Sequence, residues 1–124
     1  MRDPSVRYSL TAMERTAVKA EMRDILIATA RARETITYSG LAERIRTVHI
    51  HAHSFIFTRL LREVCADADA AGDGFLCALV VSKATGMPSG GYFQRDLADK
   101  LSEQDLEAIW RDELESVYAL WASR

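Results

Sequence analysis

Apolar and polar positions along the chain fall into four stretches of helical period, interrupted by short runs of a different pattern. Val18, Met22, Ile25, Leu26 and Thr29 recur at i, i+4, i+7, i+8 and i+11, which lines one face of a helix. Thr11 followed by Glu14 fits a capping box, so this helix is predicted to run from near Thr11 to about Arg33. Thr35-Ile36-Thr37-Tyr38 is β-branched and aromatic, the composition of a short strand. Thr37 or Ser39 can cap a second, short helix whose apolar face is Leu41, Ile45 and Val48. Ser54 reads as the N-cap of a third helix. Its core face is Phe57, Leu60, Leu61, Val64, Cys65 and Ala68. The opposite face centres on Arg59, with Phe55, Arg62, Glu63 and Ala66 around it and Thr58 at the border.

The unbroken apolar run Phe75 to Val81, bounded by glycines, predicts a buried strand. Lys83 to Gly91 holds Gly86, Pro88, Gly90 and Gly91 and must turn. Its length predicts a projecting loop with the apolar apex Gly86-Met87-Pro88, and Tyr92-Phe93 returning as a second strand. Ser102 can cap a last helix striped by Leu106, Ile109, Trp110, Leu114, Val117, Leu120 and Trp121, with Glu113 at the rim. The expected fold is α+β and mostly helical: one winged helix-turn-helix domain over residues 1–124, with additional N- and C-terminal helices. Its core spans about residues 11–94, and the C-terminal helix about 102–122.

Composition narrows the class. At 124 residues, 48% apolar and 27% charged, the chain is long enough for a core and too apolar to be disordered. No apolar run approaches the roughly 18 residues of a membrane span, and Met1-Arg2-Asp3-Pro4 does not read as the start of a signal peptide. With only Cys65 and Cys77, a disulfide framework is not expected, and the setting is read as reducing and cytoplasmic. Both cysteines, on apolar faces, are expected to be inert thiols. The net charge of −2 hides an asymmetry. Residues 1–64 hold 11 Lys+Arg against 7 Asp+Glu, a net of +4, and residues 65–124 hold 5 against 11, a net of −6. Local positive charge is what phosphate binding requires.

Ile36-Thr37-Tyr38-Ser39-Gly40-Leu41-Ala42-Glu43-Arg44-Ile45 resembles the T-Y-G-x-L-A segment that opens the DNA-binding domain of the alkylguanine-DNA alkyltransferase family. Leu79 to Phe93 departs from that family and is similar to a wing of small, uncharacterised bacterial winged-helix proteins. The likeness covers roughly residues 36–93. The alkyltransferases act through a Pro-Cys-His-Arg motif, which is missing here, so the resemblance implies a DNA-binding scaffold without the transfer chemistry.

The candidate DNA contacts follow from that order of elements. Thr58, Arg59 and Arg62 lie on the outer face of the third helix, and Lys83, Thr85 and Ser89 on the wing. His49, His51 and His53 alternate, so in a strand all three imidazoles would face one side and could converge on Zn²⁺. No neighbouring acid or cysteine in the sequence completes such a shell, so the segment is read as a DNA-proximal or purely structural turn with no metal. Trp110, Val117 and Trp121 belong to a stripe longer than a small winged domain needs, which predicts a homodimer joined by the last helices.

No Ser-His-Asp order, phosphate-cradling glycine loop or His-Glu-x-x-His motif is present, and the chain is read as a non-enzyme without a cofactor. The expected function is that of a small regulator binding double-stranded DNA as a homodimer, away from membranes. One alternative is a protein-interaction module on the same fold. Another is a nucleic-acid enzyme using the histidines.

Overall fold

The computed structural model of the protein describes residues 7, 9–88 and 103–124. The element order is α1 (Ala12–Arg31), β1 (Ile36–Thr37), α2 (Tyr38–Arg44), α3 (Phe55–Ala70), a 3-10 turn (Leu76–Leu79), β2 (Val80–Val81) and α4 (Glu103–Ala122). The fold is thus α+β and mostly helical, with four helices and one small sheet among the described residues.

Local signals set the helix starts. Thr11 and Glu14 form a reciprocal capping box: the Glu14 N–H donates to the Thr11 hydroxyl, and the Thr11 N–H donates to the Glu14 carboxylate. Thr37 caps α2 by accepting the Gly40 N–H, and Ser54 caps α3 by accepting the Phe57 N–H. At its other end α1 stops where Arg33 turns left-handed at φ 54°, and the Glu34 N–H reaches back to Thr29 O. A non-glycine residue there is strained. Arg33 is held by Glu115 at 2.7 Å, and its guanidinium lies 4.9 Å from the centre of the Tyr118 ring.

α1 packs on both α3 and α4, and the 3-10 turn seats between these helices. Val18, Met22 and Leu26 of α1 meet Phe57, Leu60 and Leu61 of α3 in one core, closed by Trp110, Val117 and Trp121 of α4. α4 is fastened by three hydrogen bonds to main-chain carbonyls on different segments. The Trp110 indole N–H donates to Ala78 O at 2.8 Å, the Trp121 N–H to Asp73 O at 3.0 Å, and the Tyr118 hydroxyl to Glu34 O at 2.8 Å. Tyr and Trp suit this position because a large apolar body is buried while one polar atom keeps a partner.

Several expectations are corrected. The apolar run at 75–81 is not one strand. Only Val80 and Val81 pair, in parallel with Ile36 and Thr37, and Leu76–Leu79 coils into a 3-10 turn. β1 offers just two residues to pair with, so the preceding peptides satisfy their hydrogen bonds locally: Ala78 N–H donates to Phe75 O and Val80 N–H to Cys77 O. α2 ends at Arg44. Ile45 and Val48 are buried as expected, but from an extended connection of residues 45–54, longer than the three or four residues that usually join a helix-turn-helix.

The cysteines are not inert thiols. Cys65 of α3 and Cys77 of the 3-10 turn form a disulfide, with Cα atoms 5.6 Å apart. Coiling of residues 76–79 carries Cys77 to Cys65. The described part of the loop expected to project, residues 83–88, is compact: Gly86 N–H donates to Ser82 O and Ser82 N–H to Met87 O, both at 2.8 Å. Gly86 permits this with φ 70°, and the supposed apolar apex turns inward, leaving Met87 half-buried and Pro88 buried. The expected return strand at Tyr92-Phe93 lies outside the described residues.

Candidate nucleic-acid interface

The outer face of α3 begins at a rigid corner. The Ser54 hydroxyl accepts the Phe57 N–H and donates to His51 O at 2.7 Å, and the Ser54 N–H donates to the same carbonyl at 3.0 Å. The connection before it is anchored on α1, where the Glu21 carboxylate accepts the N–H groups of Arg46 at 2.8 Å and Thr47 at 3.2 Å. Burial alone would raise the Glu21 pKa. The hydrogen bonds from the Thr47 hydroxyl and the two N–H groups, with the nearby Arg46 charge, outweigh it and hold the carboxyl below its ordinary value.

Thr58, Arg59 and Arg62 are exposed on α3. The Thr58 hydroxyl donates back to Ser54 O at 3.3 Å. Glu63, expected near this face, lies toward α1. It sits 3.7 Å from Arg15 and 3.9 Å from Lys19, and Asp67 sits 3.1 Å from Lys19. Glu63 and Asp67 are thereby drawn to the α1 flank, Asp69 lies in the last turn of α3, and the first turns of its outer face present cations without acids.

Lys83 and Thr85 are exposed on the turn after β2. The Thr85 hydroxyl accepts the Met87 N–H and donates to Met87 O, both at 3.2 Å, so it stabilises the turn. Ser89 lies outside the described residues.

His49, His51 and His53 do not share one side of a strand. Only His49 has strand geometry, through an N–H from Arg7 to its carbonyl at 2.7 Å, and residues 52–53 turn. The His51 and His53 rings lie 6.1 Å apart, both exposed, at the edge of a groove of about 210 Å³ that also includes Ser39 and Glu43. Among the described residues no three His, Cys, Asp or Glu side chains are arranged to hold a metal ion.

Trp110, Val117 and Trp121, expected at a subunit contact, are buried within the chain's own core. These three side chains pack against α1 and the 3-10 turn, while Leu106, Ile109 and Leu120 of the same stripe are half-buried.

The cations divide sharply. Arg7, Arg15, Lys19, Arg23, Arg33, Arg111 and Arg124 each have a carboxylate within 4 Å, and Arg31 lies over the Trp121 ring at 5.5 Å. Asp73 takes two of them, Arg23 and Arg124, which hold its carboxyl below the usual range. Among the described residues, the side chains of Arg44, Arg46, Arg59, Arg62 and Lys83 have no such partner, although the Arg46 backbone N–H donates to Glu21. Arg44, at the end of α2, was not singled out by the sequence pattern. Its freedom depends on which acids come near it in space, and no local signal encodes that.

No protein family matches the chain, and no curated protein or solved structure is significantly similar to it. No helix among the described residues is long and apolar enough to cross a membrane.

Proposed function

We propose that the chain binds DNA without covalent chemistry, as a small regulator, through the outer face of α3. The observation that carries this reading is the division of the cations. Acids outnumber bases, 18 to 16, so the five unpaired cations among the described residues do not reflect a shortage of carboxylates. They fall between residues 44 and 83, in the segment that holds α2, α3 and the turn after β2. Arginine suits this task because its planar fork can hold a phosphate or the two acceptors of a guanine. The overall negative charge does not oppose it, since counterion release depends on charges at the contact.

The test is a mobility-shift titration of the whole chain with a 30-bp duplex, at about 50 and about 200 mM salt. The expected result is a complex at low salt that weakens steeply at the higher concentration, and that Arg59→Ala/Arg62→Ala weakens further at unchanged helicity. No complex at low salt, or equal binding by the variant, removes the proposal and favours a protein partner for this face.

A further inference from the structure

Phe55 is 81% exposed at the first position of α3, whose start is capped by Ser54. Its exposure is not a frayed end. Ser54 before it is hydrogen-bonded in three directions, Ile56 is half-buried, and Phe57 two residues on is fully buried. Among the described residues Phe55 is in contact with no cation or second ring. An aromatic ring held rigidly in water gains nothing for the fold, because its apolar area stays hydrated.

Its neighbours on the helix surface are the unpaired cations. At about 100° per residue Arg62 lies about 20° from Phe55 around the axis and Arg59 about 40°. Their Cα atoms stand about 10 Å and about 6 Å further along the helix. Thr58 completes the face, and the acids Glu63 and Asp67 are turned to α1. A single π face followed by cations along one line matches a nucleic-acid strand at a point where a base is free: the ring takes the base and the guanidinium groups take the phosphates. Within an uninterrupted duplex every base face is already covered, and such a ring could touch only base edges.

We infer that this face of α3 binds DNA carrying an unpaired base, with Phe55 stacked on that base and Arg59 and Arg62 on the flanking phosphates. The inference rests on the DNA-binding reading above and specifies its target.

The experiment is fluorescence anisotropy with two labelled 20-bp DNAs of the same sequence, one intact and one with a single-thymidine bulge at its centre, using the wild-type chain, Phe55→Leu and Phe55→Trp. Circular dichroism confirms that each variant is folded. The wild type is expected to prefer the bulged DNA by about 5- to 150-fold, the range that one aromatic–base stack supplies. Phe55→Leu keeps an apolar side chain but has no π face, so it should lose the preference while binding intact duplex like the wild type. Phe55→Trp should retain the preference. Equal affinity of the wild type for both DNAs, or a preference that survives in Phe55→Leu, overturns the stacking inference and leaves DNA binding intact. Binding to neither DNA overturns both.

Discussion

The indole N–H of Trp110 donates to the carbonyl oxygen of Ala78, 2.8 Å away, inside the core where α4 covers the 3-10 turn. This carbonyl lies next to the two-residue β2, too short to offer it a ladder of its own. The bond therefore joins two elements that depend on each other. The turn leaves a main-chain acceptor unpaired, and α4 supplies the donor on a side chain that also fills the space above it.

Trp110→Phe keeps an aromatic body and removes the donor. A buried acceptor left unpaired costs about 1–3 kcal/mol. The variant should lose that much in urea denaturation, with an unchanged far-ultraviolet spectrum. A loss below about 0.5 kcal/mol would show that Ala78 O finds another donor.

The disulfide gives a second prediction. Cys65 and Cys77 are 12 residues apart in sequence. Closing a loop of this size restrains the unfolded chain by about 3 kcal/mol. Cys65→Ser/Cys77→Ser should unfold at lower urea by that amount, and wild type treated with a dithiol reductant should match it. Titration of the untreated, unfolded chain should find no free thiol. Two reactive thiols per chain after purification without reductant would contradict the bridge.

Acid sensitivity follows from three carboxylates. Glu14, Glu21 and Asp73 all have pKa values held below the ordinary 4.5 for Glu and 3.8 for Asp. For Glu14 the leading cause is the Thr11 N–H, followed by Arg7. For Glu21 it is the hydrogen bonds of Arg46 and Thr47 prevailing over burial. For Asp73 it is Arg23 and Arg124. A group whose folded pKa lies below its unfolded value stabilises fully above the unfolded value, and that contribution is lost as pH falls through the folded one. The urea midpoint should decline below about pH 4.5. Glu21→Gln should be less stable at neutral pH and lose less on acidification. Equal acid slopes for variant and wild type would mean that Glu21 does not anchor the connection to α3.

For DNA, each phosphate neutralised by an arginine adds about 0.9 to the slope of log affinity against log salt. Arg59→Ala/Arg62→Ala should lower that slope by about 1.8 and change stability by no more than about 0.5 kcal/mol per site. A weakened complex with an unchanged slope would assign the two arginines to base edges instead of phosphates.

Assembly provides the last measurement. Trp110, Val117 and Trp121 are buried within the chain, and among the described residues the only large apolar side chains left exposed are Met13 and Phe55. Sedimentation equilibrium at tens of micromolar should show a monomer. A stable dimer that Val117→Ser disrupts without unfolding the chain would restore the subunit contact expected from the stripe on α4.

The sequence by itself determined that there are four helices, the starts of α1 and α3, and the inner faces of α1, α3 and α4, but not the extent of α2, whose expected face Ile45 and Val48 lies in the connection that follows. Caps such as Thr11 with Glu14, Thr37 and Ser54 act within three residues, and the period of Phe57, Leu60, Leu61 and Val64 needs only the geometry of a helix. It also located the exposed face of α3, since the face opposite a buried stripe must meet water. It could not say that Phe75 to Val81 would coil, because an apolar run satisfies a strand or a turn equally until the length of its partner strand is known. The pairing of Cys65 with Cys77 followed from that coiling. The destination of the α4 stripe depended on how much surface α1 and the 3-10 turn left uncovered. The division of the cations was likewise tertiary. Arg23 and Arg124 find Asp73 from the two ends of the chain, whereas Arg44, Arg59 and Arg62, built from the same side chain, are packed where no carboxylate reaches them.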